Sequence, residues 1–262
     1  MRLYRINALL MRHLYLYRRS FPRIMDVFFW PIMELLLWGF LSVYLDKLDL
    51  GGLNLLTLLL GAVIFWDLMS QSQRAVSFAF FEDVWERNFL NLFVTPLRVS
   101  EFTVSTGLLG LVRVLIVGIV LAGLALMLYQ FNIFQFGLLL VPFDMNLVVF
   151  GWLLGVFTTG IILRYGSGAN ALSFGFIFLV QPFSAVFYPV SALPDSVEWI
   201  AYFIPITYVF EGMREVVATG MLPVHNLLLA FFANAMCAVL VIWYFHRMFA
   251  YVKAQGRLMK LD

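Results

Sequence analysis

Phe187-Tyr188-Pro189-Val190-Ser191-Ala192-Leu193-Pro194, followed by Pro205-Ile206-Thr207-Tyr208-Val209-Phe210-Glu211-Gly212-Met213-Arg214, lies between the last two long apolar runs of the chain. A simple membrane protein needs only a short loop at such a place. Here two proline-broken segments carry an acid and a base instead. Pro189 and Pro194 interrupt helix geometry. Asp195 is placed to cap a short helix whose apolar face holds Val197, Trp199, Ile200 and Phe203. Pro205 opens another helix, and Thr207, Glu211 and Arg214 fall at i, i+4 and i+7 on one of its faces. Polar groups at membrane depth must pair or meet water. Residues 188–215 are therefore expected as an extracellular re-entrant segment, held in one reading by a Glu211–Arg214 pair.

The rest of the chain is as apolar as this reading requires. Of 262 residues, 63% are hydrophobic and 12% charged. A soluble domain carries about 25% charged residues, so most of this surface must face lipid. A net charge of +2 offers no basic field for nucleic acid. The single cysteine, Cys237, allows no internal disulfide. His13, His225 and His246 are too scattered to suggest a metal site. Arginines interrupt residues 2–23 too often for the apolar core of a signal peptide.

A spanning helix needs about 20 apolar residues. Six stretches qualify, near 24–44, 53–79, 102–129, 138–163, 169–188 and 227–250. Basic residues set the orientation. With the N-terminus inside, Arg2, Arg5, Arg12, Arg18, Arg19, Arg23, Arg74, Arg87, Arg98, Arg164, Arg247, Lys253, Arg257 and Lys260 are all cytoplasmic. Lys47 and Arg214 fall outside, and Arg113 falls within the third span. The expected fold is an all-α polytopic membrane protein with six transmembrane helices and both termini cytoplasmic. It forms one domain over 1–262, with no linker marking a second.

Residues 1–23 form a separate element. Leu3, Ile6, Leu9, Leu10, Leu14 and Tyr17 recur at helical spacing, with Arg5, Arg12 and Arg19 on another face. This is an amphipathic helix in the cytoplasmic interface. It either anchors on anionic lipid or also touches a cytoplasmic partner.

Residues 80–98 are a second amphipathic stretch, cytoplasmic and charged. Glu82 and Glu86 are four apart, Trp85, Phe89 and Leu92 lie along an adjacent stripe, and Pro96 stops the helix. Aromatics facing water would be costly, so a partner or the membrane must cover them. Inside the spans, Glu34, Asp67 and Arg113 sit near the middles of the first three helices. A lone charge there costs roughly 3 kcal/mol. Two acids and one cation suggest mutual neutralisation, with a proton relay or a substrate contact as the functional alternatives. Phe176, Phe183 and Phe187 repeat near Gln181-Pro182 in the fifth span. They either pack or line a path for an apolar substrate. The remaining aromatics, within totals of 28 Phe, 7 Trp and 11 Tyr, suit a lipid-facing and interfacial belt.

Taken together, the Phe-Tyr-Pro…Leu-Pro and Pro-Ile-Thr-Tyr…Glu…Arg pattern and the charged helix with Glu82, Asn88 and the Thr95-Pro96-Leu97 exit resemble ABC-2 type transporter permeases. The resemblance extends over the whole chain. It implies a dimer of permeases, homodimeric or closely heterodimeric, in a bacterial or archaeal cytoplasmic membrane. Two cytoplasmic ATPase subunits would supply ATP and magnesium, since this chain has no Gly-x-x-x-x-Gly-Lys-Ser/Thr phosphate loop. No cofactor or catalytic residue is expected here. The helix with Glu82, Trp85, Glu86, Asn88, Phe89 and Leu92 would couple to the ATPase. Tyr188, Pro189, Pro194, Thr207, Tyr208, Glu211 and Arg214 would form an outer gate. The cargo would be hydrophobic or amphipathic, drug-like or lipid-like, with lipid-linked glycans within the family's range. Two other classes remain: a membrane-embedded lipid-modifying enzyme, and an ion-coupled carrier using Asp67 and Arg113.

Overall fold

A computed structural model describes residues 2–47, 55–85 and 94–255. Among these residues there is no β-strand. The helices are α1 (Leu3–Arg19), α2 (Phe21–Lys47), α3 (Leu55–Trp85), α4 (Val99–Tyr129), α5 (Val141–Tyr165), α6 (Asn170–Val180), α7 (Asp195–Phe203), α8 (Pro205–Thr219) and α9 (Val224–Ala254). Short 3-10 turns at Ile133–Leu140, Gln181–Phe183 and Val190–Ala192 join some of them. Four described stretches are long and apolar enough to cross a membrane: Phe21–Lys47, Val99–Tyr129, Ile133–Tyr165 and Val224–Ala254.

The long helix α3 is the central element. At 31 residues it extends about 46 Å. It packs on α5, α4 and α2, with most of its length buried. It carries many buried polar side chains, including Asp67, Ser70, Gln71, Ser72, Gln73 and Ser77. The seam with α5 explains how they are tolerated. A Cβ on Gly151 would lie 2.5 Å from the Met69 carbonyl oxygen, and one on Gly155 would lie 2.7 Å from the Val76 Cβ. Without side chains, the two backbones approach closely enough for short polar groups to bridge them. Ser72 Oγ donates to the Val148 carbonyl at 2.9 Å. Ser77 Oγ and Thr158 Oγ1 lie 2.6 Å apart.

A second polar link crosses from α3 to α2. Pro31 sits inside α2, so it cannot bond the carbonyl four residues earlier, that of Val27. Gln71 Nε2 donates to that carbonyl at 2.9 Å. The helix keeps its proline because a neighbouring helix satisfies the freed acceptor. On the other side, α5 holds α9 through Asn234 Nδ2, which donates to Asn146 Oδ1 at 3.0 Å.

Three expected boundaries move. The stretch expected to begin a separate helix at residue 80 continues α3 through Trp85, because no proline or glycine separates residues 79 and 85. The expected span 169–188 is an 11-residue helix, Asn170–Val180, that turns at Gln181–Phe183. Pro182 cannot continue an α-helical ladder. Finally, Asp195 is the first residue of α7 and not its cap. Pro194 takes the cap position, and no side chain caps the helix.

The α2 proline link makes a prediction. Gln71→Leu strands the Val27 carbonyl and should cost about 1–3 kcal/mol, measured by unfolding in detergent. Pro31→Ala in that background restores a backbone donor and should recover part of the loss. Equal stability of the single and double variants would show that the link is not made.

Candidate functional site

Side chains cluster by charge at two ends of the bundle. At one end α1 lies across the close of α3 and the start of α4. Arg12 forks onto Asp83, with Nη1–Oδ2 at 3.2 Å and Nη2–Oδ1 at 2.5 Å. Arg23 Nε donates to Glu82 Oε1 at 3.0 Å. Glu101, buried in the first turn of α4, accepts from the Arg98 amide at 3.0 Å and the Arg2 amide at 2.8 Å. Arg5 Nη1 reaches Glu101 Oε2 at 3.5 Å and also donates to the Pro96 carbonyl. Arg5 and Arg12 bind acids and a carbonyl of their own chain, while Arg19 stays exposed. Forked arginine–carboxylate pairs fix orientation as well as contributing energy. Thus α1 is fastened to both flanks of the segment between residues 83 and 96.

That segment was expected to carry the docking residues. Glu82 is placed, on the last turn of α3. Glu86, Asn88, Phe89 and Leu92 lie outside the described residues, as does the side chain of Trp85.

His13 sits within the same cluster, 2% exposed, with no partner for Nε2. Burial lowers its pKa to about 4, and nearby Arg12 and Arg23 push the same way against Asp83. The imidazole is therefore neutral in the fold. Its stabilisation is full above the unfolded value of about 6.5 and is lost as pH falls toward 4. The chain should lose up to roughly 3 kcal/mol over that window. His13→Leu should flatten the pH profile of the unfolding midpoint between pH 6.5 and 4.

Midway along the bundle, the expected pairing of Arg113 with Glu34 or Asp67, within one subunit or across a dimer, is not made within the chain. Arg113 donates Nη1 to Tyr17 Oη at 3.1 Å and lies over the Tyr17 ring, 5.4 Å from its centroid. Its Nε and Nη2 have no hydrogen-bond partner within the chain, so no pair with Glu34 or Asp67 forms inside one copy. The cation within electrostatic reach of both acids is Arg74. Asp67, Gln71 and Arg74 lie at i, i+4 and i+7 along one face of α3. Sequence spacing could have revealed this stripe, but Arg74 read as one of the cytoplasmic charges. Both Asp67 carboxylate oxygens are buried without a hydrogen bond.

The other end carries the expected outer residues, and most of them are brought together. Arg214 Nη2 donates to Glu211 Oε1 at 3.0 Å and to the Ala185 carbonyl at 2.7 Å. Arg214 Nη1 donates to the Val186 carbonyl at 3.3 Å. Glu211 Oε1 also accepts from the Val190 amide at 2.7 Å. Acid and base on α8 thus grip the turn over 185–190 by its backbone. Ala185 has φ +51°, a conformation that costs a non-glycine residue about 1–2 kcal/mol. The grip offsets that strain. Tyr188 Oη donates to the Pro182 carbonyl, and Tyr208 Oη donates to the Tyr202 carbonyl at 2.8 Å. Thr207 is buried with no partner for Oγ1, and Pro194 is exposed.

The phenylalanine stripe is not one surface. Phe176 packs edge-on against Phe157, with centroids 5.3 Å apart. Phe187 stacks on Trp38 at 4.2 Å. The break after Val180 separates Gln181, Phe183 and Phe187 from the face that carries Phe176.

An all-helical chain with several membrane-length apolar helices is a multi-pass membrane protein. The ABC-2 type transporter family matches residues 4–218, and the chain belongs to that family. Its members are transmembrane permeases, not ATPases, and generally work with ATP-binding subunits. A search of curated proteins finds no match.

The grip on the 185–190 turn is testable because its energy resides in carbonyls as well as in charge. Arg214→Leu should destabilise by about 2–4 kcal/mol, since it strands Glu211 and two carbonyls. Removing Glu211 as well should recover only part of this loss. Full recovery would reduce the grip to a simple ion pair.

Proposed function

We propose that this chain is the membrane half of an ATP-driven exporter of hydrophobic or amphipathic compounds. In this reading six segments cross a bacterial or archaeal cytoplasmic membrane, with both termini inside. Two permease copies assemble with two ATPase subunits, which bind ATP and magnesium. Residues 80–98 couple to the ATPase, and 188–215 gate the outer side.

Family membership and the α1 cluster support the reading. The single observation that carries it is that arginines of α1 and α2 hold acids on both flanks of residues 83–96. A segment meant only to connect two helices needs no such bracing. A segment that transmits a push does, because a loose lever would dissipate the motion. The brace ties it to α1, α3 and α4, and α3 runs on to the outer grip. Closure of the ATPase pair would then move these elements together, narrowing the cavity between permeases while the outer segment opens.

Trp85→Ala with Phe89→Ala tests this. The aromatics suit a groove on a soluble subunit as buried anchors, whereas Glu82 and Glu86 would be repelled by anionic lipid. The double variant should reach the membrane folded. It should lose co-purification with the ATPase and cargo-stimulated hydrolysis, while basal hydrolysis by the free ATPase persists. Normal transport by this variant would remove the segment from the mechanism.

A further inference from the structure

A pocket of about 470 Å³ opens beside the grip on the 185–190 turn. Tyr202 of α7, Tyr208 and Glu211 of α8, and His225 and Asn226 of α9 line it. Val190 and Leu229 add apolar surface. The volume lies within the range of small-molecule sites.

Most hydrogen-bond donors of this wall are committed elsewhere. Tyr202 Oη donates to Glu198 Oε1 at 2.7 Å. Tyr208 Oη donates to the Tyr202 carbonyl at 2.8 Å. Asn226 Nδ2 donates to Glu215 Oε2 at 3.0 Å. Thr207 also belongs to the wall, but its Oγ1 is fully buried. What the wall presents is acceptors. Glu211 uses Oε1 for both the Val190 amide and Arg214 Nη2. Its Oε2 has no partner among the described residues, yet it is not enclosed, and the side chain is 31% exposed. The two tyrosine oxygens have given their protons and keep lone pairs.

Charge points the same way. Glu198 and Glu215 stand directly behind Tyr202 and Asn226, and Glu211 lies within electrostatic reach of Tyr202. No lysine or arginine lines the pocket among the described residues. Arg214 balances Glu211 through Oε1 and is otherwise turned to the 185–186 carbonyls. Two carboxylates remain behind the wall.

We propose that this pocket binds a primary ammonium group, its N–H donors meeting Glu211 Oε2 and the tyrosine oxygens, and its apolar end resting on Val190 and Leu229. An ammonium carries three donors and no acceptor, the complement of such a wall. An anion is repelled by the carboxylates, and a neutral alcohol forgoes the charge-assisted bonds. The group has two sources, a free amine or the headgroup of an aminophospholipid. Exposed Trp199 and Phe203 beside Tyr202 suit the headgroup level of a bilayer. Only the further step, that a free amine is cargo, rests on the export reading. Glu211 joins ligand and turn, because one oxygen holds Val190 and the other meets the ammonium.

The test uses the purified full chain alone in phosphatidylcholine nanodiscs. The probe is benzylammonium, with benzyl alcohol as its neutral counterpart and benzyltrimethylammonium as a cation without N–H donors. Benzylammonium should raise the unfolding midpoint saturably. Both counterparts should half-saturate at concentrations at least about tenfold higher, for want of hydrogen bonds to a charged acceptor. Glu211→Gln keeps an acceptor for the turn but removes the charge, and should weaken benzylammonium by about tenfold or more. His225 is exposed, so His225→Arg leaves packing intact while setting a tethered guanidinium at the wall. It should weaken benzylammonium similarly, and it decides the matter if Glu211→Gln does not accumulate. Equal binding of benzyl alcohol overturns the ammonium site, and equal binding of benzyltrimethylammonium overturns the acceptor wall. An unchanged response in His225→Arg overturns the location. Adding phosphatidylethanolamine to the nanodiscs separates the sources. A weaker apparent affinity for benzylammonium assigns the pocket to the lipid headgroup, and an unchanged one assigns it to a free amine. Because no ATPase is present, loss of binding leaves the coupling experiment untouched, and loss of coupling leaves binding untouched.

Discussion

The seam between α3 and α5 is the constraint on which the structure depends. A helix with Asp67, Gln71, Ser72, Gln73, Arg74 and Ser77 cannot face hydrocarbon, because lipid satisfies no polar group. It must be wrapped by other helices at a distance short enough for side chains to reach neighbouring backbones. Gly151 and Gly155 permit that distance on α5. Gln71 meets the carbonyl that Pro31 frees on α2. Close packing and polar pairing are thus one requirement. Between apolar helices in lipid there is little hydrophobic drive to association, so van der Waals contact and interhelical hydrogen bonds carry the assembly.

Because α3 is wrapped along its length, it mechanically joins the two ends of the molecule. At one end it finishes in Glu82 and Asp83, held by Arg23 and Arg12. At the other it lines a cavity behind the turn that Arg214 and Glu211 grip. The two ends differ in character. The first sets several arginines on acids, with backbone amides of Arg2 and Arg98 and the Pro96 carbonyl joining in and a neutral histidine among them. The second holds backbone by side chain, and it holds a strained residue. Strain that surrounding contacts over-determine is typical of segments that change conformation.

What the sequence determined by itself follows from solvent. Apolar runs of membrane length, the scarcity of charge and the bias of arginine identify a polytopic helical protein, because a bilayer imposes length and polarity rules that act locally along the chain. The acid–base face of α8 was legible for a similar reason: Glu211 and Arg214 are one turn apart on one helix. Partners decided by the approach of distant segments were not legible. Arg113 turned to Tyr17 and Arg74 took its place near the acids, since which cation meets which acid depends on how α1, α3 and α4 rotate about their axes. The intrachain contacts of Arg5 and Arg12 could not be read, because their acids lie far along the chain. The stripe of Phe176 and Phe187 dissolved because one proline ended the helix between them. Local periodicity fixes which face a residue occupies; only packing decides what that face meets.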